Sequence, residues 1–257
     1  MSVNNDYKTI TIKVHSSVCF IKLTHHYVSP QMVSEMMAVL STLSDEIRIV
    51  VLEGNQDVFC LGADFSVVED NLTNSASDSQ TQQNNPEQLY DLWSQLQQGD
   101  FISIAHVEGK VNAGGVGFVA ACDIVIANQS AEFSLSELLF GLLPACVIPF
   151  LRQRIGKQKS HLMTLSTQNF SALEVHQWGL VDFIGTNSSD ILRRNILRMR
   201  RISTTAIGRY KRYINELEQQ PQHTKAIAIA TNRAVLSDPM NIKGIVRYQR
   251  EGLFPWE

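Results

Sequence analysis

The sequence predicts an α/β fold, and three observations carry that expectation. Strand-like apolar runs alternate with helical periodicities from Tyr7 to Ala127. The segment Ile47-Arg-Ile-Val-Val-Leu52 is of the kind buried on both faces of a parallel sheet. From Pro144 onward the pattern turns mostly helical. At 257 residues the chain forms one large domain, or one domain with an appendage, and can bury a substantial core.

The elements follow in order. Tyr7 to Leu23 reads as two strands: Ile10, Ile12 and Val14 alternate with polar residues, and Val18-Cys-Phe-Ile21 follows a short turn. Ser29-Pro30 opens a helix as N-cap and first helical residue, with an apolar stripe at Met32, Met36, Val39, Leu40 and Leu43. Asn71 to Pro86 is rich in Asn, Gln, Ser, Thr and Asp and reads as a mobile loop, with a lid as its functional reading and plain disorder as the alternative. Tyr90–Leu96 is a helix, Phe101–Val107 a strand, Gly114–Ala121 a short helix, Asp123–Ala127 a strand and Ala131–Phe133 a short one. Ser171 to Trp178 is a helix with Ser171 and Glu174 in capping-box positions, ended by Gly179.

Composition excludes several classes. Apolar residues make up 44%, which indicates a globular chain, and the net charge of −3 argues against a nucleic-acid binder. Cys19, Cys60, Cys122 and Cys146 show no metal-ligand spacing and read as buried, reduced thiols, so no metal is expected. The first residues lack the apolar core of a signal peptide, and no apolar stretch reaches the ~20 residues of a membrane span. A cytoplasmic location is expected.

Three segments carry chemistry. In Val58-Phe-Cys-Leu-Gly-Ala-Asp64 a strand runs into a glycine turn, which can aim a backbone N–H into a cleft. In Gly109-Lys-Val-Asn-Ala-Gly-Gly-Val-Gly117 paired glycines precede a short helix, whose first N–H groups are free to bind an oxyanion. Gly115, Gly117 and Ala120 also fit a dinucleotide fingerprint, with Glu137 at the expected acidic position. Only five residues separate Gly117 from Asp123, too short for a crossover helix. The third segment is Glu137, followed by an apolar run to Pro144. A carboxylate in such surroundings has a raised pKa and serves as acid and base near neutrality; its structural alternative is a helix N-terminal cap. Asp64 and Asp123 sit at element boundaries and read as caps.

Leu61-Gly-Ala-Asp64, Gly114-Gly115 with Cys122-Asp123, Phe133 through Pro144 and Ser171 through Asp182 stand in the order and spacing of the crotonase (enoyl-CoA hydratase/isomerase) superfamily, which the chain resembles over about residues 8–185. The resemblance implies a crotonase fold: a repeated ββα spiral core over 1–190, and a C-terminal helical trimerisation region over 191–257. Leu89-Tyr-Asp-Leu-Trp93, Pro144-Ala-Cys146 and Phe254-Pro-Trp256 add a resemblance to the hydratase-like enzymes of bacillaene-type polyketide β-branching cassettes. Such a cassette holds two crotonase-like enzymes. The first dehydrates a 3-hydroxy-3-methylglutaryl group on an acyl carrier protein, and the second decarboxylates the product.

By this resemblance the backbone N–H groups of Ala63 and Gly114 form the oxyanion hole that holds the thioester oxygen. Of the two glutamates of superfamily hydratases, the second falls on Glu137 and the first on Gly117, which has no side chain. That departure suits elimination better than water activation. Glu137 favours the dehydratase over the decarboxylase, because loss of CO2 needs no base. Candidates for a second polar group are Tyr90, Asn112 and His106, each with a packing alternative.

No cofactor is expected beyond the phosphopantetheine or CoA that carries the substrate. Residues 191–213 hold Arg193, Arg194, Arg198, Arg200, Arg201, Arg209, Lys211 and Arg212 without an acid, a basic face able to meet an acidic carrier protein, with a solvated helix or a face paired with a neighbouring subunit as the alternatives. A homotrimer or a hexamer is expected. The competing readings are a CoA-linked enoyl hydratase or isomerase, the decarboxylase, and a catalytically silent binding partner.

Overall fold

Ile10–His15 (β1) and Val18–Leu23 (β2) form an antiparallel hairpin that begins a six-stranded sheet. The computed structural model describes residues 7–63, 85–218 and 222–257. Most of the expected loop, and Asp64, lie outside the described residues. Asn85 and Pro86 instead open a helix: the Asn85 side chain caps it, accepting from Glu87 N at 3.1 Å.

The chain then alternates between two sheets. Ile49–Glu53 (β3), Ile102–Val107 (β5) and Ile124–Asn128 (β7) run parallel in the first. Each is followed by a short strand of the second: Val58–Cys60 (β4), Lys110–Asn112 (β6) and Glu132–Ser134 (β8), again parallel. Phe170–Ser171 (β9) closes the small sheet and Phe183–Gly185 (β10) the large one, in the orders β4-β6-β8-β9 and β1-β2-β3-β5-β7-β10. This is the expected spiral. The sequence reading missed β6, β9 and β10, which are two or three residues long.

Helices fill the turns. They are α1 (Pro30–Ser41), α2 (Pro86–Gln98), α3 (Gly114–Ala121), α4 (Val147–Ser166), α5 (Ala172–Gln177) and α6 (Ser188–Met199). The last three are α7 (Thr204–Glu218), α8 (Gln222–Ser237) and α9 (Pro239–Glu251). Ser29 caps α1, accepting from Met32 N at 3.2 Å, and the Ser171/Glu174 capping box of α5 is complete.

Strand β3 shows why its pattern is continuous. Val50 and Leu52 enter the main core, while Ile49 and Val51 pack on the opposite face with Ile104, Ile126 and Leu192 of α6. Each such side chain contributes roughly 1.5–3 kcal/mol when fully buried.

Two polar expectations are corrected. Asp123 caps no helix: its Oδ2 accepts from the amide and hydroxyl of Ser103 at 2.7 and 3.0 Å and pairs with Lys211 Nζ at 2.7 Å. Lys211 is therefore buried and does not belong to the basic face. No helix among the described residues is long and apolar enough to cross a membrane.

Candidate active site

A cavity of about 1520 Å³ opens between the ends of β4 and β6, the start of α2 and the C-terminal helices. Its wall includes Ala63, Asn112, Gly114 and Glu137. Gly62 has φ +86°, and a β-carbon there would stand 2.6 Å from Ala113 Cβ and 2.9 Å from Gly114 N. Only glycine allows these two backbone segments to approach so closely. Ala63 is held beside α1 by a bridge to Val28, whose amide donates to Gly62 O at 2.7 Å. Gly114 is the first residue of α3, so its amide has no acceptor within the helix. Ala113 before it has φ 50°, a costly conformation for a residue with a β-carbon. That strain turns the chain sharply from β6 into α3.

Glu137 opens a 3-10 turn, Glu137–Phe140, which Leu135 and Ser136 join to β8. Gly141 ends the turn at φ 71°. Helix α9 clamps it: Asn241 Nδ2 donates to Gly141 O at 3.0 Å, and Phe140 packs against Tyr248 and Phe254 with ring centroids 5.1 and 5.8 Å away. The Oε2 of Glu137 is sealed from solvent and has no hydrogen-bond partner. Burial pushes its carboxyl up to about 7. Near neutrality such a group both accepts and returns a proton. No cluster of His, Cys, Asp and Glu able to hold a metal occurs among the described residues.

Against this geometry, residues 13–257 match the family described as enoyl-CoA hydratase/isomerase. The chain belongs to that family. It is 44% identical over 256 residues to the bacillaene synthase dehydratase PksH of Bacillus subtilis, covering 98% of this chain and 97% of that one. It is also 31% identical over 153 residues to the 2,3-dehydroadipyl-CoA hydratase of Escherichia coli, covering 59% of this chain and 56% of that one. The crystal structure of a putative polyketide biosynthesis enoyl-CoA hydratase from Bacillus subtilis superposes with a TM-score of 0.92 at 44% identity, covering 97% of this chain and 100% of that one. Pseudomonas aeruginosa AtuE, at 24% identity and a TM-score of 0.76, shares the fold.

As a member of the enoyl-CoA hydratase/isomerase family, the chain is a lyase of the hydratase/dehydratase type. The structure separates its candidate residues. Ala63, Gly114, Asn112 and Glu137 line one cavity; Tyr90 and His106 do not. Both ring nitrogens of His106 are engaged, Nδ1 with Glu53 and Nε2 with Ser188 Oγ, each at 3.0 Å. It ties the sheet to α6. Tyr90 packs on Phe150 with centroids 4.9 Å apart, and burial raises its phenol above the ordinary range, away from acid–base work at neutrality. Asn112 faces the cavity, but Ser134 Oγ donates to its Oδ1 at 3.0 Å and its Nδ2 donates to Ser136 Oγ at 2.8 Å. It stiffens the wall beside Glu137.

The four cysteines are free and buried. Burial raises Cys146, at the cavity wall, to about 12, so it stays a thiol. Sequence reasoning missed two polar groups of the wall, Trp93 and Gln249. In the sequence Trp93 stands only as the last residue of the Leu89–Trp93 motif. The signal that could have singled it out is its pairing with the glycine at position 117.

Proposed function

We propose that the chain dehydrates a 3-hydroxy-3-methylglutaryl thioester on an acyl carrier protein to the 3-methylglutaconyl thioester in polyketide β-branching. The observation that carries this reading is Glu137. It is one carboxylate with a pKa near 7 and an unpartnered oxygen, in the cavity that Ala63 and Gly114 also line. The full-length similarity to a bacillaene synthase dehydratase supports the substrate class.

The amides of Ala63 and Gly114 take the thioester oxygen, and one such donor is worth about 3 kcal/mol to a developing enolate. Glu137 takes the α-proton. The C–H electron pair forms the C=C bond, the C–O bond at the tertiary carbon breaks, and the departing oxygen takes a proton back from Glu137. The balance is one water released, with Glu137 regenerated. Gly117 supplies no second carboxylate to activate water, which favours elimination over hydration.

The acidic carrier protein docks on exposed arginines of the C-terminal helices, such as Arg194, Arg198 and Arg209. Exposed Met240 and Trp256 suit the subunit contacts of a homotrimer.

The test is to incubate the protein with the carrier-bound 3-hydroxy-3-methylglutaryl thioester and follow intact mass. Loss of one water, abolished in Glu137→Ala, is expected. Loss of CO2 alone from a supplied 3-methylglutaconyl thioester would assign the decarboxylase instead. Equal turnover of the free CoA thioester would remove the carrier protein from the reading.

A further inference from the structure

Buried polar atoms are normally partnered, so each exception asks for an explanation. Among the described residues four buried side-chain atoms have none: Trp93 Nε1, Glu137 Oε2, Ser166 Oγ and Gln249 Oε1. Three of the four belong to residues lining the same cavity. Orphans scattered by chance would not gather at one wall; orphans awaiting a ligand would.

Glu137 already has a use. Gln249 Oε1 is an acceptor. Trp93 Nε1–H is a donor only, so its missing partner is an acceptor atom. The indole is 1% exposed and gripped edge-on by Phe118 and Phe150, each with centroids 5.7 Å away. It also stands over Gly117. A β-carbon at position 117 would lie 2.4 Å from both Cη2 and Cζ2 of Trp93 and 2.7 Å from Cε2, the ring atom bonded to Nε1. The indole thus fills the space that any side chain at 117 would need.

Gly117 lies three residues after Gly114, a rise of about 4.5 Å at the usual 1.5 Å per residue. The indole that covers Gly117 thus stands about one helical turn along α3 from the amide assigned to the thioester oxygen. In a 3-hydroxyacyl thioester the next polar atom along the chain after that oxygen is the β-hydroxyl. We infer that Trp93 Nε1–H donates to the β-hydroxyl of the substrate, holding it as the leaving group and keeping free water from that position. The inference rests on the dehydration reading above. The indole keeps its proton throughout; the proton that completes the departing water comes from Glu137.

The experiment uses the full chain with 15N-labelled tryptophan and Glu137→Gln to prevent turnover. The Trp93 indole resonance is identified by its loss in Trp93→Phe. The probes are the 3-hydroxy-3-methylglutaryl and 3-methylglutaryl thioesters of pantetheine. Both should perturb the spectrum, but only the hydroxylated one should move the Trp93 indole proton downfield. In parallel, Trp93→Phe with Glu137 intact should lower kcat about 100–1,000-fold, the scale of one lost transition-state donor, with KM changed less than about threefold. An indole proton that responds equally to both thioesters, or an unchanged kcat in Trp93→Phe, overturns the inference alone. A parent protein that releases no water from the carrier-bound substrate overturns the dehydration reading, and this inference with it.

Discussion

Two regions of the described structure bury polar groups and treat them differently. Beside Asp123 the accounts close. Ser103 and Lys211 satisfy the carboxylate; Arg154 donates to Cys122 O at 2.6 Å and Leu180 O at 2.9 Å and pairs with Asp182. Asp182 Oδ2 also accepts from Val125 N at 2.7 Å. A pocket of about 300 Å³ even opens there, lined by Asp123, Lys211 and Arg154. At the large cavity the accounts stay open, at Trp93, Glu137 and Gln249. A hollow with charged walls is thus a poor guide to chemistry, whereas unmet hydrogen-bonding capacity in a hollow is a good one. The Asp123 network spends its bonds on joining β5, β7 and α7. The cavity leaves three polar atoms of its wall unpartnered.

This contrast is easiest to break at Glu137. Glu137→Ala should cost about 10³-fold in kcat, roughly 4 kcal/mol of barrier, measured by single-turnover water release. The fold should persist, since the lost carboxylate oxygen made no bond. Lys211→Met should do the opposite. Leaving Asp123 buried without its cation should cost about 3 kcal/mol in urea unfolding, with kcat per folded molecule nearly unchanged. Loss of activity greater than loss of stability in Lys211→Met would erase the distinction between the two regions.

Linkage gives a third, smaller effect. The folded-state pKa of Glu137, about 7, lies above its ordinary 4.5. Between those values the folded protein binds more protons than the unfolded chain, so this group's contribution falls as pH rises. It is fully present below about pH 4.5 and gone above about pH 7. Glu137→Gln should therefore gain stability over the parent across that window, by an amount on the order of 2 kcal/mol, read from unfolding curves at pH 5 and pH 8. In the parent, kcat/KM should rise as pH passes through about 7, because the base must be ionised.

Local signals made much of this legible in the sequence. Ser29-Pro30, the Ser171/Glu174 box and the Gly62 turn each fix their own neighbourhood by capping or by backbone freedom, and each stands where the sequence places it. Glu137 was legible because an acid before an apolar run is costly and so conspicuous. Strands β6, β9 and β10 were not, because two or three residues carry no periodicity; pairing with β4, β8 and β7 makes them strands. His106 misled for the same reason. Its partners Glu53 and Ser188 lie 53 and 82 residues away, and nothing near it in sequence announces that both ring nitrogens are taken. Trp93 was hidden by distance too: its meaning depends on the empty position at Gly117 in another helix.

The smallest expected effect tests how the open region is held in place. Asn241 Nδ2 donates to Gly141 O at 3.0 Å and to Val235 O at 2.9 Å, joining the Glu137 turn to α8 and α9. A β-carbon on Gly141 would come within 2.1 Å of Asn241 Oδ1, so the two are in close contact. Asn241→Ala removes both bonds and leaves two carbonyls to water, because the site is partly exposed. The cost to stability should be about 1 kcal/mol. The Phe140–Tyr248–Phe254 cluster still holds the turn, so Glu137 should keep its raised pKa but lose some alignment. The expected signature is a kcat lowered a few-fold, about 1 kcal/mol of barrier, with the pH midpoint unmoved. A midpoint that falls towards the ordinary carboxylate value would mean that Asn241 seals the cavity rather than aligns its base. The desolvation of Glu137 would then belong to the C-terminal helices and not to the wall formed by β8 and α3.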